Sequence, residues 1–411
     1  MLKFARNIFV GIFAIILCAV IFTEISEKFD APEAEDEYSD MAFLEGRTYQ
    51  EMPDMNLETL MDGSFQSDFE QHVADQVPMR NEILIANATL QRQSIALGAD
   101  MFGYDVYPTF YSSDSCYDEA TNAIVEMPYE QNEANTQMLK DTAGWINGFA
   151  ERHPDTNVTV TFPARFNSSG FSPLTPLLTG QVGPEYLDEN FFSQLSGDVA
   201  SYNLDVDLPP DFTTDYFRTD HHWQADYAYE AYSFLLGHMY PEATPLEVQE
   251  VITWDEQPFY GSHARNGLCL DAGADYLKDV VYDESDITVR QGGEDHDLEF
   301  VRHRDAYAHD EVIHDKYSNK YAEYFHNDYA ILGFTNNDIE EGKTLVIVAD
   351  SFSNTCERYF AENYKYVYVL DPRHFDGTLD EFFEDKNVDD MLFMIHAGTV
   401  MNGGFTDLLA H

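Results

Sequence analysis

The most regular hydrophobic pattern of the chain lies near its carboxyl terminus, where short apolar runs alternate with segments of helical spacing. The apolar runs are residues 344–349, 366–370 and 391–395, and the segments between them are residues 353–363 and 379–385. Short apolar runs of branched and aromatic residues predict strands that are buried on both faces. A strand–helix–strand–helix–strand order implies crossover connections, with helices on both faces of a parallel sheet. The pattern therefore predicts an α/β fold.

Earlier segments extend this prediction. Residues 158–162 alternate valine and threonine and predict another strand of the same sheet, and residues 224–238 predict a helix directly after a polar stretch. Residues 65–73 and 81–97 have helical spacing and predict two helices joined by a turn. The segment from residue 27 to about 62 opens on an acidic run with few apolar residues, which predicts a stalk that does not pack.

The amino terminus has the layout of an export signal. Lys3 and Arg6 precede an apolar run at residues 8–22, and the first acidic residue is Glu24. No small-x-small cleavage motif follows the run, and the residue before Cys18 is not small, as a lipoprotein signal requires. A retained anchor is therefore favoured over cleavage or lipidation, and the basic residues before it predict that the rest of the chain lies outside the cytoplasm.

These patterns predict three parts. Residues 1–26 form a signal anchor that crosses the cell membrane once, residues 27–64 form an acidic stalk, and residues 65–411 form an extracytoplasmic globular domain. Beyond the anchor the chain contains Cys116, Cys269 and Cys356, which leaves open one disulfide with a free thiol or no disulfide at all.

The charge of the chain excludes one class of partner. Its 75 acidic and 22 basic residues give a formal net charge of −53. A surface this negative repels phosphate backbones, so nucleic acid is excluded as a partner. A generally acidic, hydrated surface explains the excess better than a specific cation site does.

Candidate chemistry begins at the end of the predicted strand 344–349. Ser351 follows this strand and precedes a predicted helix, whose first N–H groups face a group placed there and can stabilise an oxyanion. A serine is a weak nucleophile at neutral pH, so it needs a base that a carboxylate orients. Asp220 and His222 are alternate residues of one short stretch, so in an extended loop their side chains share a face. The three residues form a candidate catalytic triad.

Each half of this assignment has an alternative. Ser351 or Ser353 is equally suited to cap the following helix. Two adjacent histidines, His221 and His222, beside an aspartate also suit a metal site almost as well as a triad. The residues by themselves leave both alternatives open.

Three motifs in this order resemble the DHHW family of bacterial proteins. They are Phe217-Arg-Thr-Asp-His-His-Trp223, Asp350-Ser-Phe-Ser353 and Tyr368-Val-Leu-Asp-Pro-Arg-His-Phe375. That family is similar to the SGNH-like domains of the alginate O-acetyltransferase group, and the resemblance extends over roughly residues 65 to 400. It implies a flavodoxin-like αβα sandwich with a Ser-His-Asp triad. Because the Asp-x-His element precedes the serine, the SGNH hydrolase-like order is circularly permuted.

The resemblance also implies roles for single residues. Ser351 matches the nucleophile, His222 the general base and Asp220 its orienting carboxylate, while His221 has no catalytic role. No cofactor and no metal are implied. Ala349 stands where SGNH enzymes carry glycine, and the asparagine of their oxyanion hole has no secure match.

Four further residues are predicted to bind substrate. Asn327 is the candidate for the oxyanion asparagine, Arg373 follows the strand 366–370, Tyr260 adjoins Gly261, and Trp223 offers a ring for a sugar. The alternatives are a salt bridge for Arg373, a plain turn at Tyr260 and packing behind the histidine for Trp223.

The implied function is an extracytoplasmic O-acetyltransferase that modifies cell-surface or exported polysaccharide. The alternatives are a carbohydrate acetylesterase with the same triad and a non-catalytic polysaccharide-binding or assembly protein. The expected partners are a polysaccharide acceptor, a membrane-embedded O-acyltransferase that supplies the acyl group, and the membrane itself through the amino-terminal helix.

Overall fold

The computed structural model describes residues 40–103, 106–108, 115–169, 180–384, 386–404 and 408. The chain divides into two units, one that ends at Ser94 and one that runs from Ile95 to His411. The domain boundary predicted at residue 65 falls within the first unit.

The predicted membrane localisation is corrected by the structure. Among the described residues, no helix combines the length and the apolar character that crossing a membrane requires. The anchor predicted at residues 8–22 lies outside the described residues.

The first unit contains short strands followed by helices. The strands Met41–Ala42 (β1) and Arg47–Thr48 (β2) pair antiparallel. The helices are Leu57–Asp62 (α1), Ser64–Asp75 (α2) and Arg80–Phe102 (α3), the last of which continues past the end of the unit. Asn56 starts α1 with a capping box, and Gly63, at φ 87°, adopts the left-handed conformation between α1 and α2. The described part of the predicted stalk thus includes β1, β2 and α1.

The second unit contains the remaining described elements. Its strands are Val106–Pro108 (β3), Ser115–Asp118 (β4), Ala123–Glu126 (β5), Asn157–Phe162 (β6), Val199–Asn203 (β7), Glu250–Thr253 (β8), Lys278–Val281 (β9), Ile287–Gln291 (β10), Glu294–His296 (β11), Ile331–Asn336 (β12), Thr344–Ala349 (β13), Tyr366–Leu370 (β14) and Asp390–Met394 (β15). Its helices are Glu133–Arg152 (α4), Pro184–Asn190 (α5), Leu204–Asp207 (α6), Ala225–Met239 (α7), Ser262–Asn266 (α8), Arg304–Ala308 (α9), Lys320–Phe325 (α10), Glu357–Ala361 (α11), Leu379–Phe383 (α12) and Ala397–Met401 (α13).

A central sheet of eight strands has the order β11-β10-β12-β14-β13-β15-β6-β7. The five strands from β14 to β7 are parallel, and β12, β10 and β11 are antiparallel to their neighbours. The predicted α/β class and the membership of β6, β13, β14 and β15 are confirmed. The sheet is mixed rather than wholly parallel, because β12 runs antiparallel to β14 and is followed by the antiparallel hairpin of β10 and β11.

The strand β13 shows why the sheet is covered on both faces. All six of its residues are buried. Leu345 and Ile347 pack in one apolar cluster, together with residues of α7, while Val346 and Val348 pack in a second cluster with residues of α4. Side chains of a strand alternate between its two faces, so the two clusters are layers on opposite sides of the sheet. The predicted helices on both faces are therefore present.

The three cysteines described in this unit are buried. Within the described part of the chain, Cys116, Cys269 and Cys356 form no disulfide with one another. Of the two alternatives left by the sequence, the structure has the one without a disulfide among these three residues.

Candidate active site

The candidate site lies at the carboxyl end of β13. The chain passes from β13 to β14 on one side and then to β15 on the other, so the strand order reverses at β13. In open α/β sheets, ligands bind at such a reversal, beyond the carboxyl ends of the strands. The residues that follow the adjacent strands β13, β15 and β6 here include Ser351, His396 and Arg165.

Ser351, His222 and Asp220 form a continuous hydrogen-bonded chain. His222 Nε2 lies 2.8 Å from Ser351 Oγ, and His222 Nδ1 lies 2.7 Å from Asp220 Oδ1. With the ring proton on Nδ1, the imidazole donates to the carboxylate and accepts the serine hydroxyl, which is the arrangement a general base needs. The structure brings the three residues together at these distances, and their catalytic roles stay predictions.

Backbone groups hold the carboxylate of Asp220 in place. Ser262 N, at the start of α8, donates to Asp220 Oδ2 at 2.7 Å, and His222 N donates to Asp220 Oδ1 at 3.2 Å. A side chain at Gly261 would collide with Asp220, so this close approach requires glycine. Burial alone would raise the pKa of Asp220, but the neighbouring imidazoles of His221 and His222 hold it well below its usual value. The side chain is therefore a buried carboxylate throughout the neutral range.

His221 is turned toward a different partner. Its Nδ1 lies 3.1 Å from Ser262 Oγ, and its ring centroid lies 5.6 Å from that of His263. Burial and the neighbouring His222 lower the pKa of His221 well below its ordinary value, so the ring is neutral at neutral pH.

The side chains of Asp220, His221 and His222 lie close enough together to bind a metal ion. Ligand atoms of Asp220, His221 and His222 all lie within 4.8 Å of one another. However, both ring nitrogens of His222 are already engaged, one by Asp220 and one by Ser351. An ion held by His222 Nε2 would have to displace the serine hydroxyl.

The turn after β13 differs from the helix predicted at residues 353–363. It is a 3-10 turn over Ser353–Thr355, followed by the short helix α11. Phe352 N and Ser353 N donate to the side chain and carbonyl of Asp350, so they do not face the serine. Among the described residues, Ser351 N makes no hydrogen bond, so it is a candidate donor to a developing oxyanion.

Sequence reasoning missed Tyr321, which contacts both His222 and Ser351. Its ring stacks on the imidazole of His222, with centroids 3.7 Å apart and planes 7° from parallel. Its hydroxyl donates to the backbone carbonyl of Ser351 at 2.6 Å. It is one of 26 tyrosines, and no spacing in the sequence sets it apart.

A second missed cluster lies beside the serine turn. Arg165 makes a bidentate ion pair with Glu126, and Arg165 Nη1 lies 2.9 Å from His396 Nε2. His396 N donates to Asp350 Oδ2 at 3.2 Å, and His396 Nδ1 accepts from Gly398 N at 3.0 Å, which caps α13. Burial, and then the charge of Arg165, lower the pKa of His396 to about 4.

This shift predicts a stability change with pH. Between about pH 6.5 and pH 4, His396 takes up a proton in the unfolded chain but not in the folded one, so the free energy of unfolding falls as the pH falls. We expect this residue alone to account for about 3 kcal/mol of the loss. His396→Asn retains an acceptor that can cap α13, and it should show a correspondingly smaller loss in urea unfolding at pH 7 and pH 4. His309→Asn, at an exposed histidine, serves as the control, and equal pH dependence in wild type and His396→Asn would contradict the assignment.

Three of the residues predicted to bind substrate differ in their exposure and in their contacts. Arg373 pairs with Asp371 at 2.5 Å and with Asp328 at 2.7 Å, which is the salt-bridge alternative. Asn327 is exposed, and in the described part of the chain no hydrogen bond joins its side chain to Ser351. Tyr260 is half-buried and stacks against Tyr317 at 5.8 Å. Substrate contacts by Arg373, Asn327 and Tyr260 stay predictions.

Trp223 requires a correction. It is fully buried, and its Nε1 donates to Phe352 O at 3.0 Å and to Thr355 Oγ1 at 2.7 Å. Its ring therefore has no exposed face on which a sugar could stack. It ties the histidine loop to the serine turn from behind, as the packing alternative expected.

The loop and the turn that carry these contacts lie in a region that matches a known family model. Residues 202–370 match the DHHW protein family model. The resemblance inferred from the motifs is therefore confirmed, and the DHHW region contains Asp220, His222, Tyr321 and Ser351. No curated protein matches the chain with significant similarity.

Solved structures share this fold at low sequence identity. A DHHW family protein from Eubacterium siraeum DSM 15702 has a TM-score of 0.58 and 16% identity, over 75% of this chain and 99% of that one. PatB1 of Bacillus cereus, solved with a sulfonyl adduct, has a TM-score of 0.55 and 18% identity, over 70% of this chain and 96% of that one. The O-acetyltransferase domain of Pseudomonas putida AlgJ also matches, over 72% of this chain and 92% of that one, but its TM-score of 0.38 and 10% identity are too low to carry an argument.

Proposed function

We propose that this protein is a serine O-acetyltransferase that transfers acetyl groups to a polysaccharide. The observation that carries the proposal is the hydrogen-bonded chain from Asp220 through His222 to Ser351 Oγ at the strand-order reversal. The finer fold assignment, an SGNH hydrolase-like αβα sandwich in circularly permuted order, belongs to the same proposal. It is supported by the position of Asp220 and His222 before Ser351 in the chain.

The proposed reaction has two halves. Ser351 Oγ attacks the carbonyl carbon of an acetyl ester while His222 Nε2 takes the hydroxyl proton, and the carboxylate of Asp220 stabilises the resulting imidazolium. The tetrahedral oxyanion faces Ser351 N, and its collapse breaks the ester bond as His222 returns the proton to the leaving alcohol. In the second half, the oxygen of a sugar hydroxyl attacks the carbonyl carbon of acetyl-Ser351 while His222 Nε2 takes its proton. Collapse of this second tetrahedral intermediate breaks the bond between the acetyl carbon and Ser351 Oγ, and His222 returns the proton to Oγ, so that the O-acetyl sugar leaves and the free serine is restored.

Hydrolysis is the alternative outcome of the same chemistry, with water in place of the sugar hydroxyl. The resemblance to the alginate O-acetyltransferase group favours transfer, and the acceptor is decided by which hydroxyl the site admits and how well it excludes water. We propose a polysaccharide as the acceptor and a separate O-acyltransferase as the supplier of the acetyl group.

The full-length chain should therefore release the alcohol from a chromogenic acetyl ester, and an added glycan should become acetylated. Mass spectrometry of the glycan distinguishes transfer from hydrolysis, since an esterase releases only acetate. A metal chelator should leave the rate unchanged, whereas loss of activity with the chelator would favour the metal alternative at Asp220, His221 and His222. No release above the buffer rate, together with glycan binding, would favour the non-catalytic alternative.

A further inference from the structure

We propose that Tyr321 is a positioning residue. It holds the proposed base, His222, and the proposed nucleophile, Ser351, in the relative position that proton transfer requires. This inference rests on the proposed function, since it concerns how that site is assembled. Tyr321 lies on α10, about 100 residues from His222 and 30 residues from Ser351, and contacts both. A third segment of the chain therefore joins the two that carry the reacting groups.

The ring contact fixes the orientation of the imidazole. With ring centroids 3.7 Å apart and planes 7° from parallel, the tyrosine ring covers one face of His222. Rotation of the imidazole about its Cβ–Cγ bond would drive its edge into this ring and break both of its hydrogen bonds. The negative face of an aromatic ring also favours a cation, so the stack stabilises the imidazolium that forms when His222 takes a proton.

The hydroxyl contact fixes the backbone of the serine turn. Tyr321 donates to Ser351 O at 2.6 Å, while the other donor to this carbonyl, Asn354 N, lies 3.4 Å away. Burial raises the pKa of Tyr321 well above its ordinary value, so the phenol stays protonated and remains a donor at any working pH.

Aromatic neighbours prevent Tyr321 from moving away from the site. Phe217 meets its ring edge-on at a centroid distance of 6.4 Å, and Phe325, on the same helix, lies at 5.3 Å. Only 3% of Tyr321 is exposed. The ring is therefore a fixed surface against which His222 can be set to within the fraction of an ångström that proton transfer requires.

Two substitutions separate the ring contact from the hydroxyl contact. Tyr321→Phe keeps the stack and removes the bond to Ser351 O, so we expect kcat for an acetyl ester to fall about tenfold, with KM and the pH profile unchanged. Tyr321→Leu removes the stack as well, and kcat should fall about a hundredfold. Tyr324→Phe is the matched control: it removes a buried hydroxyl one turn away, which bonds Asp279 rather than the site, and it should keep its activity.

The rate of inactivation by phenylmethanesulfonyl fluoride, measured as a function of pH, is a readout that a merely structural role of Tyr321 would not change. In inactivation by phenylmethanesulfonyl fluoride, Ser351 Oγ bonds to sulfur, fluoride leaves and His222 takes the proton. The groups that face His222 are Asp220 and His221 from its own loop, Tyr321 from α10 and Ser351 from the turn after β13. Loss of the stack in Tyr321→Leu should move the midpoint of this profile to lower pH by about 0.5 to 1 unit, and Tyr321→Phe should not move it.

A spectroscopic measurement keeps the test independent of activity. The proton between His222 Nδ1 and Asp220 Oδ1, which are 2.7 Å apart, should give a low-field NMR signal in the wild type, Tyr321→Phe and Tyr324→Phe. Its loss in Tyr321→Leu is the expected result. A signal and a pH profile that persist unchanged in Tyr321→Leu would overturn the positioning role, whereas a wild type that shows the signal but does not react with the sulfonyl fluoride would count against the proposed function.

Discussion

Ser351→Ala is expected to lower kcat for an acetyl ester by about 10⁶-fold, to near the rate without a nucleophile. The hydroxyl is the atom that becomes acetylated in the proposed reaction, and no other group can take its place 2.8 Å from His222 Nε2. Single-turnover kinetics measure the loss directly. Mass spectrometry of the protein should show an added acetyl group in the wild type and none in Ser351→Ala.

Ser353→Ala is a matched control for this substitution. Ser353 lies two residues away in the same turn and is buried, but its hydroxyl bonds Asp350 O and Glu357 rather than His222. This variant should still become acetylated. Acetylation that persists in Ser351→Ala would assign the nucleophile to another residue and remove the main support for the proposed function.

Asp220→Asn is expected to lower kcat by about 10⁴-fold, by analogy with the serine proteases. An asparagine fills the same space, but it can donate to His222 Nδ1 and so favour the tautomer whose Nε2 carries the proton. That tautomer cannot accept the proton of Ser351. The amide also carries no charge to stabilise the imidazolium.

The depressed pKa of Asp220 adds a stability effect with a defined sign. Because its folded pKa lies well below the ordinary 3.8, the carboxylate contributes stability above that pH and loses it as the pH falls toward the folded value. Asp220→Asn should therefore be less stable than the wild type at pH 7, and the difference should narrow in acid.

A double variant and a surface control sharpen the test of Asp220. If Asp220 acts only through His222, then Asp220→Asn combined with His222→Ala should be no slower than His222→Ala alone. Asp226→Asn removes a partly exposed carboxylate that pairs with Lys278, and it should retain activity. Activity of Asp220→Asn within tenfold of the wild type would show that Asp220 does not orient the base.

The strands at the core of the sheet could be predicted because their signal is local. Each of β13, β14 and β15 is a short apolar run, and burial on both faces demands apolar residues at consecutive positions. The antiparallel side of the sheet carried no such signal. Strands β10 and β12 are neighbours in the sheet but are separated by about 40 residues, and their pairing depends on long-range contacts.

The candidate site was predictable for a similar reason. Asp220 and His222 are two residues apart, and Ser351 follows a recognisable strand, so motifs within short stretches identified all three. The contacts that surround these three residues could not be predicted from short motifs. The hydroxyl of Tyr321 and the ion pair of Arg165 with Glu126 join segments that are between 30 and 40 residues apart in the chain.

The sequence by itself therefore determined the α/β class, the central parallel strands and the DHHW resemblance, because hydrophobic period and short motifs are properties of neighbouring residues. Only the tertiary structure decided that Trp223 is buried behind the serine turn, that His221 faces Ser262 and that Tyr321 stacks on His222. These outcomes depend on which side chains meet when distant segments pack. Close packing admits one such arrangement among many that the same residue types would allow.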